Sequence, residues 1–149
     1  MKRPSTDGLS WSERTIPISG GWEAITYGNG KYVVVGDVGS PASNKYLYSS
    51  DGITWSASNT VSGGAARDVT FGNNIFVAGG ASGVLNTSTD AISWTLRTAG
   101  FGSNAISALT YGNGIYVATG GTGVINTSTD AISWTLRTSG TASGLNALT

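Results

Sequence analysis

"NTSTDAISWTLRT" stands at residues 86–98 and again, letter for letter, at residues 126–138. Widening the window to 82–98 and 122–138 adds only two differences, Ser82 against Thr122 and Leu85 against Ile125, both conservative. Repetition this close marks either a structural unit being stacked or a binding surface being multiplied, and the period decides the fold. Tryptophans that follow an Asp turn fall at Trp11, Trp55, Trp94 and Trp134, spaced by 44, 39 and 40 residues. A second signal interleaves with them, as "ITYGNGKYVVVG" from Ile25, "VTFGNNIFVAGG" from Val69 and "LTYGNGIYVATGG" from Leu109. Repeats are therefore drawn at 16–59, 60–98 and 99–138, with partial repeats at 1–15 and 139–149, all in one repeat domain. The first copy is longer, and "GSPASNK" at 39–45 places the extra residues in a loop, where added length costs little closure entropy.

Composition agrees with the period. The 149 residues include 23 glycines and only 11% charged side chains, and Ser, Thr and Asn run throughout beside Val, Ile, Tyr and Trp. That is the mixture of strand and turn formers expected of an all-β chain. Each unit reads as four short strands. Asn29-Gly30 and Asn113-Gly114 are the strongest two-residue hairpin signals, because Asn and Gly accept positive φ at both central positions, and Asn73-Asn74 is the weaker version. Third strands ("YLYSS", "GVLNTS", "GVINTS") lead into the Asp turn and fourth strands ("ITWSAS", "ISWTLRT") leave it. Four strands in about forty residues, with no room for a helix, is the signature of a β-propeller blade.

The S-x-D-G-x-x-W element, Ser5-Asp7-Gly8-Trp11 and Ser49-Asp51-Gly52-Trp55, resembles the Asp-box or BNR repeat of sialidase-like propellers. Asp90, Trp94, Asp130 and Trp134 belong to the same element in the later copies, where Ala91 and Ala131 replace the glycine. The tryptophan follows the Asp by four residues where the usual box has five, so a different turn geometry is expected. Together with the "YGNGxYVxxG" hairpin, the element is similar to repeats of bacterial and bacteriophage surface proteins. Asp7, Asp51, Asp90 and Asp130 are read as turn-capping carboxylates, and Trp11, Trp55, Trp94 and Trp134 as core plugs.

Several function classes are set aside. Eight basic residues balance eight acidic ones, leaving no electrostatic footprint for nucleic acid. There is no cysteine or histidine, hence no disulfide, no Cys/His zinc site and no Ser-His-Asp triad. Each Asp turn offers one carboxylate, too few oxygens for calcium, and no cofactor or metal is expected. The start "MKRPSTDG" lacks an apolar core of signal type, and no segment has the length of a membrane span. A sialidase would need an arginine triad, whereas Arg97 and Arg137 are repeat-equivalent, and no motif pairs two of the acids outside the Asp turns, Glu13, Glu23, Asp37 and Asp68. A non-catalytic chain is the expectation.

Binding is better motivated where the copies differ. The segment between one unit's last strand and the next unit's first varies most, and it carries Trp22, Arg67, Asp68, Phe101 and Asn104 as candidate ligand contacts. An aromatic beside polar groups suits a sugar. Trp22 fits an inward role better, since its equivalents are Ala66, Ile106 and Leu145, and Arg67 with Asp68 equally fits a local ion pair. Asn86 and Asn126 open N-T-S sequons. The function expected is recognition of a cell-surface glycan or receptor by a phage particle or bacterial surface, with a structural virion scaffold as the alternative and a sialidase-like glycosidase third. Expected partners are further copies of the chain or other virion proteins.

Overall fold

The computed structural model describes residues 9–10, 13–37, 46–59, 61 and 63–148. Asp7, Trp11 and the 39–45 insertion lie outside them. The described chain forms twelve strands in three four-stranded antiparallel sheets. The first contains β1 (Gly21–Gly28), β2 (Lys31–Asp37), β3 (Leu47–Ser49) and β4 (Ser56–Ala57). The second contains β5 (Ala66–Gly72), β6 (Ile75–Gly80), β7 (Leu85–Ser88) and β8 (Thr95–Arg97). The third repeats the pattern as β9 (Ile106–Gly112), β10 (Ile115–Gly120), β11 (Ile125–Ser128) and β12 (Thr135–Arg137). Within each sheet the strands lie side by side in chain order.

The turn residues set this register. Gly28 pairs with Lys31, Gly72 with Ile75 and Gly112 with Ile115, each closing a two-residue loop. Both loop residues have positive φ in all three, including Asn73 at 43° and Asn74 at 61°. A feature absent from the sequence reading follows β6 and β10, where single 3-10 turns at Ala81–Gly83 and Gly121–Gly123 carry Ser82 and Thr122 at φ 53° and 58°.

Strand alternation sends neighbouring residues to opposite faces, so each sheet presents one apolar face to the unit before it and one to the unit after. In β6, Phe76 and Ala78 join Val33 and Val35 of the first sheet and Tyr46 just before β3, while Val77 between them joins Leu109, Tyr116 and Ala118 of the third. Trp94 and Trp134 pack against these two clusters, and Trp55 joins Ile16, Ile18, Trp22 and Val34 on the outer face of the first sheet. Each large apolar side chain removed from water contributes about 1.5–3 kcal/mol.

The first strands β1, β5 and β9 run alongside one another and set the spacing of the sheets. Here an aromatic ring rests on a glycine. Phe71 covers Gly28 so closely that an added Cβ would fall 2.1 Å from the ring, and Tyr111 covers Gly72 so that an added Cβ would fall 2.0 Å from its ring. The matching ring of the first sheet, Tyr27, is 57% exposed, and the matching glycine of the third, Gly112, has no atom within 4 Å of where its Cβ would lie.

Candidate functional site

Each first strand begins with the same irregularity. Pairing shifts by one residue between Trp22 and Ala24, between Ala66 and Asp68, and between Ile106 and Ala108. Glu23, Arg67 and Ser107 are thereby extruded as bulge residues. Glycine faces every bulge, because a Cβ on Gly36, Gly80 or Gly120 would come within 2.0–2.1 Å of the carbonyl of Gly21, Ala65 or Ala105. Glu23 and Arg67 are exposed and Ser107 is half-buried. Since β1, β5 and β9 are neighbours, one end of the stack displays an acid, a base and a hydroxyl at matched positions.

The sequence candidates divide around this end. Arg67 is an exposed bulge residue. Asp68, beside it, is turned inward, where its Oδ1 accepts the N–H of Val69 at 2.8 Å and its Oδ2 the N–H of Leu109 at 2.6 Å. It ties the second sheet to the third, and burial raises its carboxyl above the usual range against the lowering effect of those two N–H groups. Phe101 is buried in the cluster between the second and third sheets, which removes it from ligand contact. The N–H of Asn104 donates to the Phe101 carbonyl at 3.0 Å, closing the loop before β9. Trp22 is half-buried in the outer cluster of the first sheet, its indole N–H enclosed without a partner. Sequence reasoning missed Glu23 and Ser107; the glycine at or next to the end of each second strand, Gly36, Gly80 and Gly120, was the available signal.

At the opposite end lie the two-residue hairpins and the Asp turns. Oδ1 of Asp51 accepts the N–H of Thr54 at 2.7 Å, the N–H of Ile53 at 2.8 Å and the Ser49 hydroxyl at 3.0 Å. Oδ1 of Asp90 and of Asp130 accepts the same three donors from its own turn, at 2.8–3.0 Å for Asp90 and 2.8–2.9 Å for Asp130. The backbone N–H of Thr54 and of Ser133, foremost, holds the Asp51 and Asp130 carboxyls down at about 2. Asp90 is lowered too, the N–H groups of Ser93 and Ile92, the Ser88 hydroxyl and the Lys31 charge outweighing partial burial. Replacing glycine by alanine does not change the turn: Ala91 and Ala131 hold φ 64° and 60° where Gly52 has 68°. The indole N–H of Trp94 and of Trp134 donates to the carbonyl of Ala91 and of Ala131. Asn86 and Asn126 are buried, so neither sequon is accessible in the folded chain. Among the described residues no three acidic side chains converge as a metal site would require.

No family model matches the chain, and no curated protein matches it by sequence. Solved structures match it by shape. YCF48 from Cyanidioschyzon merolae superposes with a TM-score of 0.63 at 14% identity, over 87% of this chain and 44% of that one. YCF48 bound to D1 peptide gives 0.65 at 17% identity, over 93% and 47%. The chain folds as β-propeller blades. It spans less than half the length of the YCF48 chains it matches. The blades also superpose on the Bombyx mori GH32 β-fructofuranosidase BmSUC1 with a TM-score of 0.53 at 12% identity, over 79% of this chain and 34% of that one. A member of the GH130 family of mannoside phosphorylases and glycoside hydrolases gives 0.53 at 18% identity, over 85% and 52%.

These enzymes correct the expectation of a non-catalytic chain. Blades of this shape occur in glycoside hydrolases, and the missing motif-paired acids were no ground for exclusion. Acids borne on successive blades are brought together by the packing of blade on blade, which leaves no fixed spacing in the sequence.

Proposed function

We propose that the chain is a ligand-recognising propeller module of Asp-box type, reading a surface glycan or receptor on behalf of a phage particle or bacterial surface. One observation carries this reading. At three matched bulges, where the facing glycine, the register shift and the neighbouring strands are all repeated, the extruded side chain changes from Glu23 to Arg67 to Ser107, and the residues flanking it change as well. Architecture would repeat the residue; recognition gains from three different ones. The Ser-capped Asp turns with their tryptophans support the Asp-box kinship, and the resemblance to phage and bacterial surface repeats supports the setting.

Glycan and peptide arrays probed with the wild-type chain and with Glu23→Ala/Arg67→Ala test the reading. Binding that falls at least tenfold in the double variant is expected, a loss of about 1.4 kcal/mol or more. Binding to neither array, or binding indifferent to the two substitutions, would favour the scaffold alternative. Any glycan captured is also offered as its fluorogenic glycoside, so that turnover would be seen.

A further inference from the structure

The end of the stack remote from Arg67 holds a cleft of about 330 Å³ between the Asp turns of the second and third blades. Its volume falls at the lower limit of ordinary ligand pockets, about 300–1,000 Å³. One wall is formed by Ile75, Thr87 and Arg97 of the second blade, and the other by Asp130 and Ile132 of the third, with Asp90 at the mouth. Arg97 Nε donates to Thr87 Oγ1 at 2.9 Å, which fixes the guanidinium against its wall. The backbone N–H groups of each turn donate to Oδ1 of Asp90 and of Asp130, and both carboxylates line the cleft as acceptors.

The matched space between the first and second blades is bridged by side chains at positions that change in the next repeat, and Ser58 stands there at the place of Arg97. Lys31 stands where the next unit has Ile75, and its ammonium donates to the Asp90 carbonyl at 2.8 Å while lying 5.6 Å from the centre of the Tyr48 ring. Tyr48 stands at the place of Thr87. Asn59, at the place of Thr98, donates its N–H to the Ile92 carbonyl at 2.9 Å and its Nδ2 to Ser93 Oγ at 3.5 Å. Exchanging this plug for an isoleucine and short hydroxyls opens the cleft. The open wall is then repeated: Arg137 Nε donates to Thr127 Oγ1 at 2.8 Å in the third blade. In front of the first blade, a space of about 400 Å³ brings Arg14, at the repeat position of Arg97, together with Ile53, at that of Ile132.

Charge and shape select the ligand class. Two carboxylates, Asp90 and Asp130, are matched by two cations, Arg97 and the Lys31 ammonium whose charge acts on Asp90, so the cleft has no cationic surplus to hold phosphate, sulfate or an acidic sugar. Hydroxyls, carboxylate acceptors and guanidinium donors set between two isoleucine side chains complement the alternating O–H and C–H surface of a neutral sugar. We propose that the cleft between the second and third blades binds a neutral saccharide, and that each NTSTDAISWTLRT stretch is one half-site, with Thr87 and Arg97 on its trailing face and Asp130 and Ile132 on its leading face. The site is separate from the bulge end, and it does not depend on that end binding anything.

Titration calorimetry and amide-shift mapping with glucose, galactose, mannose and N-acetylglucosamine at millimolar concentration test it, with sialic acid as the anionic comparison. At least one neutral sugar is expected to saturate the protein and to shift residues 87–97 and 130–133. Ile75→Lys/Thr87→Tyr, which transplants the plug of the first interface, should abolish this binding. Arg97→Ala, a change at a half-buried wall residue outside the core clusters, should weaken it at least tenfold, and Arg67→Ala at the other end should leave it unchanged. Absence of saturation by all four neutral sugars, tighter binding of sialic acid, or binding that survives both cleft variants would overturn the proposal.

Discussion

Gly72 and Gly112 hold the same place in successive repeats, yet an added methyl group would meet different surroundings at each. At Gly72 it would fall 2.0 Å from the Tyr111 ring, whose displacement would also disturb Tyr116, 4.5 Å away between ring centres and bonded through its hydroxyl to the Gly72 carbonyl. Gly72→Ala is expected to cost about 3 kcal/mol by overpacking, and Gly112→Ala less than about 0.5 kcal/mol, as measured by chemical denaturation. Equal losses would show that the ring does not depend on its glycine. Asp51 and Asp130 give a second test. Their folded carboxyls lie at about 2 against an ordinary 3.8, so the turns contribute stability above pH 4 that is lost as pH falls from about 4 towards 2. Carboxyl-carbon titration should find both midpoints near 2, and midpoints near 4 would mean that the turn N–H groups are not engaged.

At the scale of the element, the hairpins were legible because Asn-Gly has a single strong backbone preference. The second hairpin departs from it, and Asn74, held at φ 61°, gives the measure: Asn74→Gly should stabilise the chain by about 0.5–1 kcal/mol on thermal melting. A lower melting temperature would mean that the Asn74 side chain contributes more than its backbone strain removes. The Asp turn invites the opposite change. Trp94 sits edge-on to Tyr46 at 4.7 Å and packs on the first interface, so Trp94→Ala is expected to cost about 3–5 kcal/mol, whereas Arg97→Ala should cost under about 1 kcal/mol. Bulges were harder to read. A glycine ending a strand announces close approach by another backbone, but it does not say which opposing residue is extruded, and so Glu23 and Ser107 went unseen beside Arg67. Asp68 was visible as a charge, while its bond to Leu109 depends on how one blade is set against the next, a relation that no local pattern carries. Phe101 was misplaced for a related reason: an aromatic in a variable loop reads as exposed until the neighbouring blade is in position.

For the whole molecule, the repeat made the number and order of strands readable, and it left open what meets the two outer faces. Tyr27 and Ile25, 57% and 58% exposed, form an unused ring-and-aliphatic ridge at one face, and Gly112 is an unused seat at the other. The inner interfaces join such a ridge to such a seat, so further copies of the chain are expected to add head to tail. Sedimentation should find species above the 15.1 kDa monomer that Tyr27→Glu returns to monomer. A wild-type chain that stays monomeric at high micromolar concentration would rule this out. The ring-on-glycine contact has one more consequence, for how such a gene can change length. Because the middle blade meets the blade before it and the blade after it through the same ring and the same glycine, duplicating residues 99–138 as a block would insert a blade whose junctions copy existing ones. Insertion of one residue more or fewer within a strand would instead turn its side chains to the wrong faces. Descent by whole-unit duplication is then the route of least disruption, and two adjoining units that share an unbroken run of thirteen identical residues are what a recent event of that kind would leave behind.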